Sequence, residues 1–149
     1  MHGKGHISSD WGINSKNLME NKTKILNMEN RLVDFVVRIQ EVIRFFPNTY
    51  FHTQLANQIS RASTSTALNY AEAQSAESLK DFIHKMKLVL KELRECHVAL
   101  KILSHNRDLD NINDLINLVR ENDELVAIFV KSIQTAEKNI KLKATGTNL

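Results

Sequence analysis

The chain has 149 residues, of which 42% are hydrophobic and 25% are charged, the proportions of an ordinary globular domain. Only four Gly and one Pro interrupt it, which argues against β-sandwiches and barrels, because those folds need a turn about every 8–12 residues. A single Cys excludes an intramolecular disulfide and a cysteine-based zinc site, and a formal net charge of +3 permits nucleic-acid contact without requiring it. With no signal-peptide pattern and no long apolar run, we expect a cytoplasmic protein.

Residues 1–20 show no apolar periodicity and hold three of the four Gly. We predict that they form a flexible leader, that residues 21–140 form one helical domain and that residues 141–149 form a polar tail. Met1, Met19 and Met28 are alternative candidates for the native start, so the leader is expected to add little to the fold.

Apolar residues spaced alternately four and three apart predict helices over residues 23–46, 49–74, 78–106 and 111–140. Pro47 ends the first helix, because proline has no amide hydrogen and its ring clashes with the preceding turn. Ser78 has the side chain of an N-cap residue and is followed three positions later by an acid. The short connections place consecutive helices in opposite directions, so the predicted fold is an all-α, up-down-up-down antiparallel four-helix bundle.

The predicted inward face of the second helix is small, since residues 62–67 read ASTSTA. Small side chains let a neighbouring backbone come close, so we expect the tightest packing of the molecule at this helix. The residues expected to face or widen the core on the first and fourth helices include Val33, Val37, Val42, Phe45, Ile112 and Ile116.

Three segments carry a family resemblance: LANQISRA at residues 55–62, NYAEA at 69–73 and AESLKDFIHK at 76–85. They resemble the 23S ribosomal RNA intervening-sequence proteins, also described as four helix bundle proteins, and the resemblance covers about residues 28–140. The family element Asn-x-Ala-Glu-Gly occurs here with Ala73 in place of Gly. The resemblance implies a homopentameric ring without a settled biochemical activity. The chain is more distantly similar to the accessory protein of diversity-generating retroelements, which implies a basic pentamer that binds nucleic acid and a reverse transcriptase.

The polar residues of the shared segments, Arg61, Asn69 and Glu72, have two interpretations. They form either a shared polar site or a set of hydrogen bonds between helices or subunits that fixes the packing register. Because the segment lies on a predicted helix and not on a loop, the second interpretation is favoured.

Catalytic and metal-binding patterns are weak in this sequence. Asp81-Phe82-Ile83-His84 is the only acid-x-x-His motif, whereas a di-iron bundle needs two such motifs. Cys96 and His97 are adjacent, but neighbouring residues of a helix diverge by about 100° and do not face each other. We therefore predict that the protein is not an enzyme and that it has no catalytic, cofactor-binding or metal-binding residues.

The third helix carries the two candidate interaction surfaces. Its basic residues lie beside the apolar seam and form a candidate nucleic-acid strip, or else a solvated face or one that meets acids of another subunit. No aromatic residues interleave with them, which argues against base stacking. Apolar residues away from the main seam form a candidate oligomer contact, or else a wide core stripe. The candidate strip consists of Lys80, His84, Lys87, Lys91, Arg94 and Lys101, and the candidate oligomer contact consists of Leu88, Val98, Ala99 and Ile102.

These observations predict a non-enzymatic, self-assembling four-helix bundle that binds RNA or another nucleic acid through the basic strip. The partners expected are further copies of the chain, a pentamer by resemblance, and RNA or a ribonucleoprotein, without a membrane. The alternative is a protein–protein scaffold that binds no nucleic acid, and the sequence does not separate the two.

Overall fold

The computed structural model describes residues 15–109 and 114–146, and in these residues it is entirely helical, without a β-strand. The four long helices are α1 (Ser15–Ile43), α2 (Tyr50–Gln74), α3 (Leu79–Ser104) and α4 (Leu115–Ala144), with a short 3-10 helix at Arg107–Leu109. The prediction of an all-α protein with four helices is confirmed.

The first helix begins earlier than its sequence pattern predicted. It starts at Ser15, so that the last residues of the predicted leader, 15–20, are the first turns of α1, and every residue from 15 to 24 is exposed. These turns contain no Gly or Pro, and the helix continues into solvent without an apolar seam to mark it. The remainder of the predicted leader, Ile112 and the end of the predicted tail lie outside the described residues.

Side-chain caps define where two of the helices begin. The hydroxyl of Thr49 accepts a hydrogen bond from the backbone N–H of His52, which starts α2 after Pro47. The predicted cap at Ser78 is present, since its hydroxyl accepts from the N–H of Asp81 at 3.0 Å. Each cap satisfies one of the backbone donors that a helix leaves unpaired in its first turn.

All four long helices contribute buried side chains to the core. The broadest contacts join α2 to α3 and α3 to α4, whereas α1 packs mainly on α2 and meets α4 over a smaller area. The largest side chains with almost no exposure include Leu32, Phe35, Ile39, Ile59, Leu93, Leu100, Leu103, Leu118, Leu125 and Phe129. The predicted small face of α2 is confirmed, because Ala62, Ser63, Thr66 and Ala73 are all buried.

The prediction of which side of α1 and of α4 faces the core is partly wrong. Val33, Val37 and Phe45 are exposed, and Ile116 is 61% exposed. The buried stripe of α1 instead runs through Phe35, and that of α4 runs through Leu118 and Leu125. Several apolar residues on each helix lie outside the core, so an apolar pattern alone does not identify the inward stripe.

The ion pairs between α1 and the last helical segment join residues that occur in opposite order along the chain. Arg38 pairs with Asp114, while Arg31, two turns earlier, pairs with Glu121, two turns later. This order is compatible with the predicted antiparallel arrangement. Within the described residues, no helix has an apolar stretch long enough to cross a bilayer.

Candidate interaction surface on the third helix

The structure places the candidate nucleic-acid strip on the solvent face of α3. Its members Lys80, His84, Lys87, Lys91, Arg94 and Lys101 are all exposed. Within residues 15–109 and 114–146, Lys87 alone of the six has a carboxylate within 4 Å of a side-chain nitrogen, its Nζ lying 2.6 Å from Oε1 of Glu137 on α4. This ion pair lowers the pKa of Glu137, chiefly through the hydrogen bond from Lys87. The other cations of the strip remain open to a partner.

A shallow groove of about 810 Å³ runs along α3 between α2 and α4. Its floor is apolar and its rim is polar and mostly cationic, so that the two surfaces predicted separately meet in one place. The floor consists of Leu55 from α2, Leu90, Val98, Ala99 and Ile102 from α3 and Ile133 from α4, and the rim consists of Gln58, Lys87, Lys91, Arg94 and Glu95.

The members of the candidate oligomer contact differ in their placement. Val98 and Ile102 are 57% and 43% exposed, and their spacing of four residues places them on one side of α3. Ala99 is buried, so its predicted exposure is wrong; it lies on the side of α3 that faces α2 and closes the floor of the groove. Leu88 is half-buried and lies outside the groove.

Hydrogen bonds tie the rim of the groove to α2. The amide nitrogen of Gln58 donates to Oε2 of Glu95 at 3.1 Å, and Nη2 of Arg61 donates to the amide oxygen of Gln58 at 2.8 Å. The carboxylate of Glu95 is therefore engaged on the α2 side. Of the remaining rim residues, Lys87 is paired with Glu137, and Lys91 and Arg94 give the other part of the groove a positive charge.

The polar residues of the shared segments do not converge on one site. Arg61 bonds to Gln58 of its own helix, and the amide of Asn69 donates to the backbone oxygen of Ser65. Glu72 accepts a hydrogen bond from Nζ of Lys85 at 2.5 Å, which joins α2 to α3 and raises the pKa of Lys85. These contacts fit a role in packing register for Glu72 and do not form a shared pocket.

Polar side chains also occur along the packed parts of α3 and α4. Cys96 is fully buried, and burial raises the pKa of its thiol to about 12. Nδ1 of His97 lies 3.1 Å from Oδ1 of Asp123, without the alignment of a hydrogen bond. Asn122, also fully buried, donates to the backbone oxygen of Leu93 at 3.1 Å. In the part of the chain that the structure describes, no three metal-ligating side chains cluster together.

Sequence reasoning missed a buried histidine at the opposite end of the core. His52 is 2% exposed, its Nδ1 lies 2.7 Å from the hydroxyl of Thr49, and its Nε2 lies 3.2 Å from the amide nitrogen of Asn106. The oxygen of the Asn106 amide accepts from the N–H of Asp108, which turns the amide nitrogen toward the ring. His52 therefore accepts at Nε2 and donates from Nδ1, linking the α1–α2 loop to the segment after α3.

Comparison with known proteins shows which family this helical chain resembles. The model of the 23S rRNA-intervening sequence protein family matches residues 24–131. A crystal structure from the S23 ribosomal protein family of Bacteroides thetaiotaomicron, a protein of unknown function, is similar with a TM-score of 0.60 and 27% identity, covering 70% of this chain and 96% of that one. No curated protein matches. Because the family match extends from α1 well into α4, over more than half of the chain, the protein belongs to the 23S rRNA-intervening sequence protein family.

Proposed function

We propose that this protein is a non-enzymatic, self-assembling, antiparallel up-down-up-down four-helix bundle, whose α3 groove is a contact surface for protein. The observation that carries the proposal is the composition of the groove. Leu55, Leu90 and Ile133 extend its apolar floor on both sides of the exposed side chains of Val98 and Ile102. A contiguous apolar surface with a polar rim is typical of a protein interface.

The environments of Cys96, Glu72 and His52 support a non-enzymatic role. Cys96 would need a thiolate to act as a nucleophile, and burial moves its pKa in the direction that keeps it protonated. Glu72 is held by Lys85, and His52 is held at both ring nitrogens. Glu72 and His52 thus each have a structural partner that accounts for their positions.

RNA binding is a second candidate function, and the exposed strip favours it. Lys80, Lys91, Arg94 and Lys101 point into solvent without a carboxylate within 4 Å among the described residues. Such cations contact phosphates without reading bases. Binding of this kind releases counterions condensed on the nucleic acid, and it weakens steeply as the salt concentration rises because that release then gains less entropy. The family's association with the 23S rRNA intervening sequence is consistent with an RNA partner.

The self-assembly proposal is tested by placing charge on the groove floor. We expect V98E/I102E to abolish an oligomer that the wild-type chain forms in sedimentation velocity, because two carboxylates would be desolvated in the contact. The matched control is I116E on α4, at a side chain that is 61% exposed and outside the groove. A monomeric wild-type protein, or an oligomer whose mass V98E/I102E leaves unchanged, would refute the proposal.

A further inference from the structure

The helix α1 has an apolar face that the core does not use. Leu26, Val33 and Val37 are 55%, 47% and 49% exposed. They lie seven and four residues apart, so they share one side of the helix, turned away from the buried Phe35 and Ile39. Three large apolar side chains aligned in solvent form a surface that a partner would cover.

Two basic residues of α1, Arg31 and Arg38, are paired with acids of α4 and of its N-cap position. Nε of Arg31 lies 2.6 Å from Oε1 of Glu121, and its Nη2 lies 2.6 Å from Oε2 of Glu124. Arg38 donates two hydrogen bonds to the carboxylate of Asp114, at 2.9 and 2.8 Å. Both guanidinium groups are therefore turned toward α4, and their charges are not available on the outer side of α1.

The acids of the same stretch are exposed. Asp34 and Glu41 have exposed side chains, and the contact of Asp34 is a loose one, 3.7 Å from Nη1 of Arg38. At 100° per residue, both acids lie along one edge of the stripe formed by Val33 and Val37. The outer face of α1 is thus an apolar stripe with an acidic edge.

We propose that the outer face of α1 in one copy docks into the α3 groove of a second copy. The inference rests on the proposed self-assembly and adds which two faces meet. Both faces are apolar, and the acids Asp34 and Glu41 complement the cations Lys91 and Arg94 on the rim.

The two surfaces also match in length. From Leu26 to Val37 the stripe rises about 16 Å at 1.5 Å per residue, and the groove from Lys87 to Ile102 rises about 22 Å along α3. Because the two faces are different, the contact is head-to-tail, and each copy presents one of each. Repetition of such a contact closes into a ring or continues as a filament.

A mixing experiment tests this pairing directly. The groove variant V98E/I102E keeps a functional α1 face, and the face variant V33K/V37K keeps a functional groove. Each variant alone is expected to lose the wild-type oligomer and sediment as a monomer. An equimolar mixture is expected to form a 1:1 dimer and nothing larger. The intact α1 face of one variant can dock into the intact groove of the other, and the altered groove and altered face that remain cannot bind a third chain.

A disulfide trap provides a second readout that depends less on affinity. A chain with V37C/I102C should form covalent multimers under mild oxidation, whereas V37C or I102C alone should not. Cys96 is buried and serves as an internal control. Far-UV circular dichroism of every variant shows whether the helices are retained, and D34K/E41K, which changes only exposed residues, replaces V33K/V37K if the latter unfolds.

The outcomes separate this inference from the proposal on which it rests. A monomeric wild-type protein refutes both. An oligomer that V98E/I102E dissociates and that both V33K/V37K and D34K/E41K leave intact overturns the pairing but leaves the groove as a contact. Retention of the oligomer by I116E, a 1:1 mixed dimer and a disulfide between positions 37 and 102 would together support the pairing. Disulfides formed by V37C alone would instead indicate a symmetric α1–α1 contact.

Discussion

Substitution of Ala62 by Leu tests the close packing of α2 against the rest of the bundle. Ala62 is 1% exposed, and its buried neighbours Ser63 and Thr66 have no exposed surface. The hydroxyls of both neighbours donate to carbonyls of their own helix, at 3.1 and 2.7 Å, so they cannot turn aside without breaking a hydrogen bond. A larger side chain at this position must therefore displace α2 or its partner helix.

The expected cost follows from overpacking. Ala62→Leu adds three carbon atoms to a site without exposed surface, and such insertions cost about 1–3 kcal/mol despite the larger apolar area. A domain of this size loses about 2–4 °C in Tm for each kcal/mol. The expected fall in Tm is therefore roughly 2–12 °C. Helix propensity does not account for such a fall, because Leu is nearly as good a helix former as Ala.

Urea titration followed by far-UV circular dichroism measures the free energy of unfolding. The matched control is Ala71→Leu, the same change at an exposed position of the same helix, which should leave the midpoint within error. An oligomer would couple unfolding to protein concentration, so both variants are compared at one concentration. Equal midpoints for Ala62→Leu and the wild-type protein would refute the close packing deduced for α2.

Three further predictions concern single contacts. His52→Ala should cost about 1–3 kcal/mol of stability, because it leaves the Asn106 amide without its buried partner, and urea titration measures the loss. Asp114→Asn should make the free energy of unfolding depend less on pH in the acidic range. Arg38 lowers the pKa of Asp114, so the pair stabilises the fold at pH values above the ordinary aspartate pKa of about 3.9 and loses this contribution as the pH falls below that value. Lys91→Gln should weaken RNA binding equally for all sequences and reduce the slope of log affinity against log salt by about one unit per strand contact, as measured by fluorescence anisotropy.

Each of these substitutions has a control on the same chain. His84→Ala removes an exposed imidazole and should not change stability. Asp34→Asn removes the looser contact of Arg38 and should leave the dependence of the unfolding free energy on acidic pH nearly unchanged. Lys131→Gln, on α4, removes the same charge away from the strip and should leave the salt slope unchanged. If a control has the same effect as its test substitution, the effect comes from net charge or from general destabilisation and not from the contact.

The helices could be predicted because their signals are local. Pro47 and the Ser78 cap act within a turn of their own positions, and the seam of α3 repeats regularly from Ile83 to Leu100. The phase of α1 could not be predicted in the same way. Val33 and Phe35 are both apolar, and only the neighbouring helices decide that Phe35 is buried and Val33 is exposed.

The contents of the candidate surface could be predicted, but their arrangement could not. The sequence identifies Lys91 and Arg94 as one set and Val98 and Ile102 as another, because charge and hydrophobicity are properties of single residues. Their union in one groove depends on Leu55 and other residues from neighbouring helices, which complete the floor. The contacts of His52 and Asn122 are similarly non-local, since each joins segments that are far apart in sequence.

The strip and the groove overlap, and this overlap determines which substitution can separate RNA binding from assembly. Lys87, Lys91 and Arg94 line the groove, so changing any of them is expected to affect both proposed functions. Lys80 belongs to the strip but lies outside the groove, in a separate depression of about 300 Å³ that it shares with Lys141. Lys80→Gln should therefore lower RNA affinity and the salt slope while leaving the sedimenting mass unchanged. Loss of the oligomer in this variant would show that assembly extends beyond the groove, and an unchanged salt slope would remove Lys80 from the phosphate contacts.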